Sequence, residues 1–341
     1  MVEVESIKCR GFYQLNLGNL SSYRSELMGI ATMLIIVCHA PAYGVEMPVW
    51  LSRILSSGGF GVDMFLFLSG MGMYHSYGSR KAKGISISKW WKRRYLRIIL
   101  SCLLLIIPIK CLLSLWGKPI GEYSLLFELS GFGFVFGDSP LWFVTSILFL
   151  YIFTPLIDLL LGGKYKWSIC IVLSVACFFA AYTFLVDSKW VFMLQRWPSY
   201  FIGWALAPEI KEQKTASVWV TIALPLVVYV ILYWMNHQIN THFSLFWLQG
   251  ISMVMLFAYL LEKIRNKTFL SILSFMGVIS LESYVTNEYL IRSLFFFSWT
   301  IYGVNINPGN HTLYWGGTLL CIFVSYLVNR MSKHILKNVK P

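Results

Sequence analysis

The stretch "IATMLIIVCHAPAYG", residues 30–44, is apolar until it presents His39. An imidazole is costly to place at the end of a hydrocarbon-like run, and its unperturbed pKa of ~6.5 suits it to accept a proton near neutrality. A hydrogen bond between packed helices is the plainer use of the same residue. Other polar groups sit in other apolar runs: Asp63 in "GGFGVDMFLFLSG", Trp142 in "SPLWFVTSILFLY", Arg196 in "LQRWPSYFIGWALA", and Asn287 with Glu288 in "SLESYVTNEYL". Singly, Trp142 suits an interfacial belt, Arg196 a snorkelling anchor and Asp63 a helix cap. At one shared depth, an imidazole, a carboxylate, a guanidinium and an amide can line a polar chamber suited to proton transfer.

A second group lies in "SKWWKRRYLRIIL", residues 88–100. Arg93 and Arg97 are four residues apart, one helical turn on one face, with Arg94 beside them. Guanidinium forks suit bidentate phosphate binding. Basic residues at a helix end also serve as positive-inside signals and attract anionic lipid. No His and Cys spacing fits a metal site, so no metal is expected.

The elements that must carry these groups are membrane helices. Hydrophobic residues make up 57% of the 341 and charged residues 13%, about half the ~25% usual in soluble domains. Mean hydropathy is +0.65. Apolar windows long enough to cross ~30 Å of hydrocarbon fall near 27–45, 59–77, 95–116, 141–161, 168–186, 191–207, 218–235, 243–261, 273–297 and 313–329. The expected fold is therefore an all-α integral membrane protein, one bundle of about ten transmembrane helices. The 191–207 window is short and holds Arg196 and Pro198, and Gly277 is the expected point of division in the long ninth window.

With the N-terminus inside, twenty-two of the 28 Lys and Arg fall on one side, eight of them from Arg80 to Arg97, between the second window and the first turn of the third. That asymmetry predicts that both termini are cytoplasmic. It also accounts for most of the +13 net charge, which argues against nucleic-acid binding. The first 26 residues lack the apolar core of a signal peptide. Six of the seven Cys, all but Cys9, lie in or beside apolar runs and read as small apolar residues.

In order along the chain, "ELMGIATMLIIVCHA", "GVDMFLFLSGMGMY", "WWKRRYLRIIL", "PLWFVTSILFLY", "FIGWALA" and "SLESYVTNEYL" resemble the membrane-bound acyltransferase-3 family, bacterial O-acetyltransferases of O-antigen, capsule, exopolysaccharide or peptidoglycan. The resemblance implies a transmembrane domain over 24–330, between a cytoplasmic segment 1–23 and a basic cytoplasmic tail 331–341. It implies ten membrane helices in the bacterial inner membrane and acetyl-CoA as co-substrate, with no permanently bound cofactor. The family's essential histidine of the first helix matches His39, and its arginines after the second helix match Arg93, Arg94 and Arg97. Two positions depart from the family pattern. Met28 stands where an arginine is usual, with Arg24 one turn below, and Asn287 stands where the family often has histidine. Asparagine can orient a substrate but cannot shuttle a proton at neutral pH.

The expected function is acetyl transfer from cytoplasmic acetyl-CoA to a hydroxyl of a surface or lipid-linked polysaccharide, within a setting of membrane lipids. His39 would be the general base, with Asp63 orienting the imidazole or holding the acceptor. Arg93, Arg94 and Arg97 would hold the donor, and Arg24, Trp142, Arg196, Asn287 and Glu288 would support the acceptor side. A transporter of a glycan or small anion is the alternative from another class, as is a relative impaired through Met28 and Asn287. Inverted repeats or paired broken helices would mark the transporter, and neither is evident.

Overall fold

The computed structural model describes residues 14–115, 141–183, 190–239, 246–296, 299–301, 304–306 and 309–338. Expectations that rest on Lys8, Cys9, Arg10, Lys118, Lys189 and Lys340 lie outside the described residues. The helices are α1 (Arg24–His39), α2 (Val49–Ser56), α3 (Gly61–Ala82), α4 (Ile87–Leu115), α5 (Trp142–Leu161), α6 (Lys166–Thr183), α7 (Trp190–Leu194) and α8 (Trp197–Lys211). They continue with α9 (Leu224–Ile239), α10 (Phe246–Leu261), α11 (Lys267–Val278), α12 (Ser280–Thr286), α13 (Arg292–Phe296) and α14 (Asn310–Asn338). The sequence pattern offered only helices, yet two small antiparallel ribbons are also present. Gln14–Asn16 pairs with Thr215–Ser217, and Trp299–Ile301 with Val304–Ile306.

Every apolar window contains helix, but not every one is a single straight span. Among the described residues six helical runs are long and apolar enough to cross a membrane, or seven when α11 and the helical run after it count as one. The sixth window is split at Gln195 and Arg196 into α7 and α8, where Pro198 takes a first-turn position that needs no amide hydrogen. The ninth divides at Ile279 rather than at Gly277. Exposed apolar stripes fit lipid contact: on α6, Ile171, Val172, Val175 and Phe179 are each more than half exposed. Their i, i+1, i+4, i+8 spacing puts them on one face.

The helices gather into two compact units. Residues 1–31, 59–79 and 153–277 form the first, and residues 32–58, 80–152 and 278–341 the second.

In the first unit, helices approach closely through reciprocal glycines. A Cβ added to Gly70 of α3 would strike the Tyr200 carbonyl of α8, and one added to Gly203 would strike the Phe67 carbonyl in return. Gly29 of α1 and Gly277 of α11 are paired in the same way, against Leu273 and Ser25. Gly277 is thus a packing residue, which is why the chain does not break there. Without a hydrophobic force between helices in lipid, such backbone contact and its dispersion energy are what hold neighbours together.

In the second unit, α4 is started by Ser86, whose Oγ accepts the Lys89 amide at 3.3 Å. Trp91 and Tyr95, one turn apart, face α5 and donate to the Tyr151 and Leu148 carbonyls, each at 2.8 Å. The opposite flank of α4, with Arg97 and Ser101 also one turn apart, is left for other partners.

Gly203→Ala would force the α3 and α8 backbones apart. Overpacking of this kind costs about 1–3 kcal/mol, so the variant's melting temperature in detergent should fall, and Gly78→Ala, in open space on α3, should melt like the parent.

Candidate functional site

The close approach of α3 and α8 sets up the first polar cluster. Asp63, in the first turn of α3, is fully buried. Its Oδ2 pairs with Arg196 Nη1, and its Oδ1 accepts the Ser199 hydroxyl at 3.2 Å. Arg196 also donates to the Gly59 carbonyl at 3.1 Å and lies 4.9 Å from the Phe246 ring centroid. Gly250 of α10 leaves the room, since a Cβ there would strike the Asp63 Cβ. Both Asp63 oxygens are therefore committed inside the first unit. Arg196 serves as the partner that makes a buried carboxylate tolerable.

Arg24, at the start of α1, turns toward α3. Its Nε and Nη2 both lie 3.4 Å from the Leu68 carbonyl, and the bare backbone of Gly72 makes room for the guanidinium.

The second unit holds His39. It closes α1, and the chain then makes a 3-10 turn, Ala40–Tyr43, ended by Gly44 at φ +72°. Pro41 starts that turn without an amide to satisfy, and glycine takes the left-handed position without steric cost. Two groups from α14 pin the turn: Asn310 Nδ2 donates to the Gly44 carbonyl at 3.1 Å, and the buried Tyr314 hydroxyl donates to the Ile36 carbonyl. Ile36 is among the last four carbonyls that a helix leaves unpaired, so Tyr314 caps α1 from the side. Tyr43 packs on Tyr314 and Phe295 at centroid distances of 5.5 and 4.9 Å. The His39 ring is half-buried and has no hydrogen-bond partner among the described residues.

Asn287 and Glu288 begin a π-helical turn, Asn287–Ile291. Such turns re-aim side chains and recur at functional sites. The Asn287 amide donates to the Ser283 carbonyl at 3.0 Å, which leaves its oxygen as an acceptor. Glu288 interacts with the charge of Arg292, and both act on Tyr43. Trp142 begins α5 beside Phe143, whose ring is 5.4 Å from Tyr284 of α12 and whose amide donates to the Tyr284 hydroxyl at 3.4 Å. His39, Trp142, Asn287 and Glu288 thus belong to one unit, with Tyr43, Tyr284 and Tyr314 among them.

Further along α12, Glu282 is buried and accepts the Ser101 hydroxyl at 2.8 Å, and Ser332 Oγ lies 3.3 Å from Ser101 Oγ. Of the three arginines of α4, only Arg97 reaches a cavity, of about 620 Å³, shared with the far end of α14. Arg93 and Arg94 do not line it.

The acyltransferase-3 family model, an acyltransferase domain, matches residues 27–330. The chain belongs to this acyltransferase family. With its apolar helices, that makes it a multi-pass membrane acyltransferase. No curated protein and no solved structure matches the chain.

Several residues of the acyltransferase escaped the sequence reading. Ser199, Ser101, Tyr43 and Tyr314 have no signal of their own, because a hydroxyl becomes informative only with its partner in view. Glu282 did have one, a carboxylate inside an apolar window.

Asp63→Asn would leave Arg196 buried opposite a neutral amide. Removing one member of a buried ion pair costs about 3–5 kcal/mol. The variant should melt well below the parent in detergent, and Asp63→Glu should lose stability too, since Gly250 leaves no space for a longer side chain.

Proposed function

We propose that this membrane acyltransferase moves an acetyl group from cytoplasmic acetyl-CoA to a hydroxyl of a surface or lipid-linked polysaccharide on the outer side of a bacterial inner membrane. The observation that carries the reading is His39: an imidazole at the end of an apolar helix, without a hydrogen-bond partner among the described residues, in a chain of an acyltransferase family. A base that spends neither nitrogen on packing is available to a substrate.

A sugar hydroxyl is a weak nucleophile until its proton is drawn off during attack. His39 takes that proton as the hydroxyl oxygen attacks the acyl carbonyl, and the proton passes on to the leaving group. Asn287, with its amide hydrogen engaged, offers an acceptor oxygen to a neighbouring sugar hydroxyl. Glu288 and Trp142 supply further polar and aromatic surface of the kind sugars bind. Asp63 supports the fold through Arg196 and Ser199. On this reading the ten apolar windows are ten spans, and the basic asymmetry orients both termini and Arg97 toward the cytoplasm and His39 toward the outer side.

His39→Gln keeps much of the size and hydrogen bonding but removes the titratable base. It should leave expression and donor binding intact while acetyl transfer falls about 10²-fold or more, the usual range for loss of a general base. The readout is the O-acetyl signal of polysaccharide from cells carrying either form or neither. A near-parental signal with the Gln variant would reduce the imidazole to packing, and polymer lost altogether without the gene would point to transport.

A further inference from the structure

The cavity beside Arg97 is lined on its other wall by Arg330, Lys333, His334 and Lys337 of α14. Their spacing of i, i+3, i+4 and i+7 gathers four basic side chains on one face over two turns. We infer that this face of α14, together with Arg97, is the main phosphate-binding surface of the donor site and takes the phosphorylated nucleotide end of a CoA thioester. The inference rests on the acyl-CoA reading above and assigns to it residues that the arginine motif of α4 does not contain.

Charge is the first argument. Like charges at i, i+3 and i+4 destabilise a helix unless something opposes them. Among the described residues no carboxylate lines the cavity, and none of Arg97, Arg330, Lys333 and Lys337 has an ion-pair partner. A topology signal needs cations near the membrane boundary, but it does not need them converging from two helices on one hollow. These four exposed charges exceed what a single monoanionic headgroup requires and suit a ligand with several phosphate groups, such as a nucleotide diphosphate bearing a further phosphate.

Size and continuity agree. A volume of about 620 Å³ lies within the ~300–1,000 Å³ usual for small-molecule sites. Ser332 belongs to the cavity wall and leads directly to the buried Ser101 and Glu282. These are the hydrogen-bonding groups that the amide-bearing arm of CoA would need on leaving water.

The test is calorimetric binding of CoA to the purified full-length protein in nanodiscs of neutral lipid. Lys333→Ala/Lys337→Ala should weaken binding at least 10-fold, and Lys333→Arg/Lys337→Arg, which keeps the charge, should restore most of it. Lys263→Ala/Lys267→Ala removes the same charge elsewhere and should change affinity less than twofold. Parental affinity in the Lys333/Lys337 alanine variant would overturn the inference and leave the acyl-CoA reading intact. Loss of co-purified anionic phospholipid from that variant, with CoA binding unchanged, would assign the face to a lipid headgroup instead and equally overturn it. A parent protein that does not bind CoA at all would overturn the acyl-CoA reading itself.

Discussion

A polar group carried into an apolar bundle has to find its partner inside the bundle, because hydrocarbon offers none. Most of the architecture described above answers that constraint. Asp63 has Arg196 and Ser199, Glu282 has Ser101, and the end of α1 has the Tyr314 hydroxyl. Not every group complies: buried Trp204, Gln249, Ser283 and Thr318 each keep a side-chain polar atom without a hydrogen-bond partner among the described residues. His39 likewise has no partner among the described residues, while the basic face of α14 is exposed and meets no carboxylate among the described residues that line its cavity. The satisfied groups hold the fold, and His39 is left free to bond a substrate.

Close helix contact and polar satisfaction are linked through glycine. Asp63 and Arg196 are 133 residues apart in sequence, and they meet because Gly70 and Gly203 let α3 and α8 touch. Gly250 then admits a third helix at the carboxylate itself. An ion pair whose geometry depends on three missing methyl groups is specified by backbone contact as much as by charge.

The apolar windows were legible because a run long enough to cross hydrocarbon is a local property of the chain. So was the family, whose motifs are short and contiguous. Pairings were not. Arg196 reads from sequence as an anchor or a chamber wall, and only the crossing of α3 with α8 makes it the counter-ion of Asp63. Gly277 reads as a breaker by its type, but it packs against Ser25 and the break falls at Ile279. The arginines of α4 look equivalent in a motif, yet of the three Arg97 alone lines the cavity shared with α14.

α14 is one unbroken helix of 29 residues, with Tyr314 near one end and Lys333 near the other. Nineteen residues separate these two, about 28 Å at 1.5 Å per residue. On the proposed function, the phosphates stay at the basic end and the uncharged arm of CoA carries the thioester inward toward His39, where the acceptor hydroxyl displaces the thiol. Moving one elementary charge through a membrane potential costs about 2.3 kcal/mol per 100 mV, and a carrier with several phosphate charges would multiply that work. A neutral passenger feels none of it. The length of α14 thus keeps the donor's phosphate charges at one end and out of the membrane field.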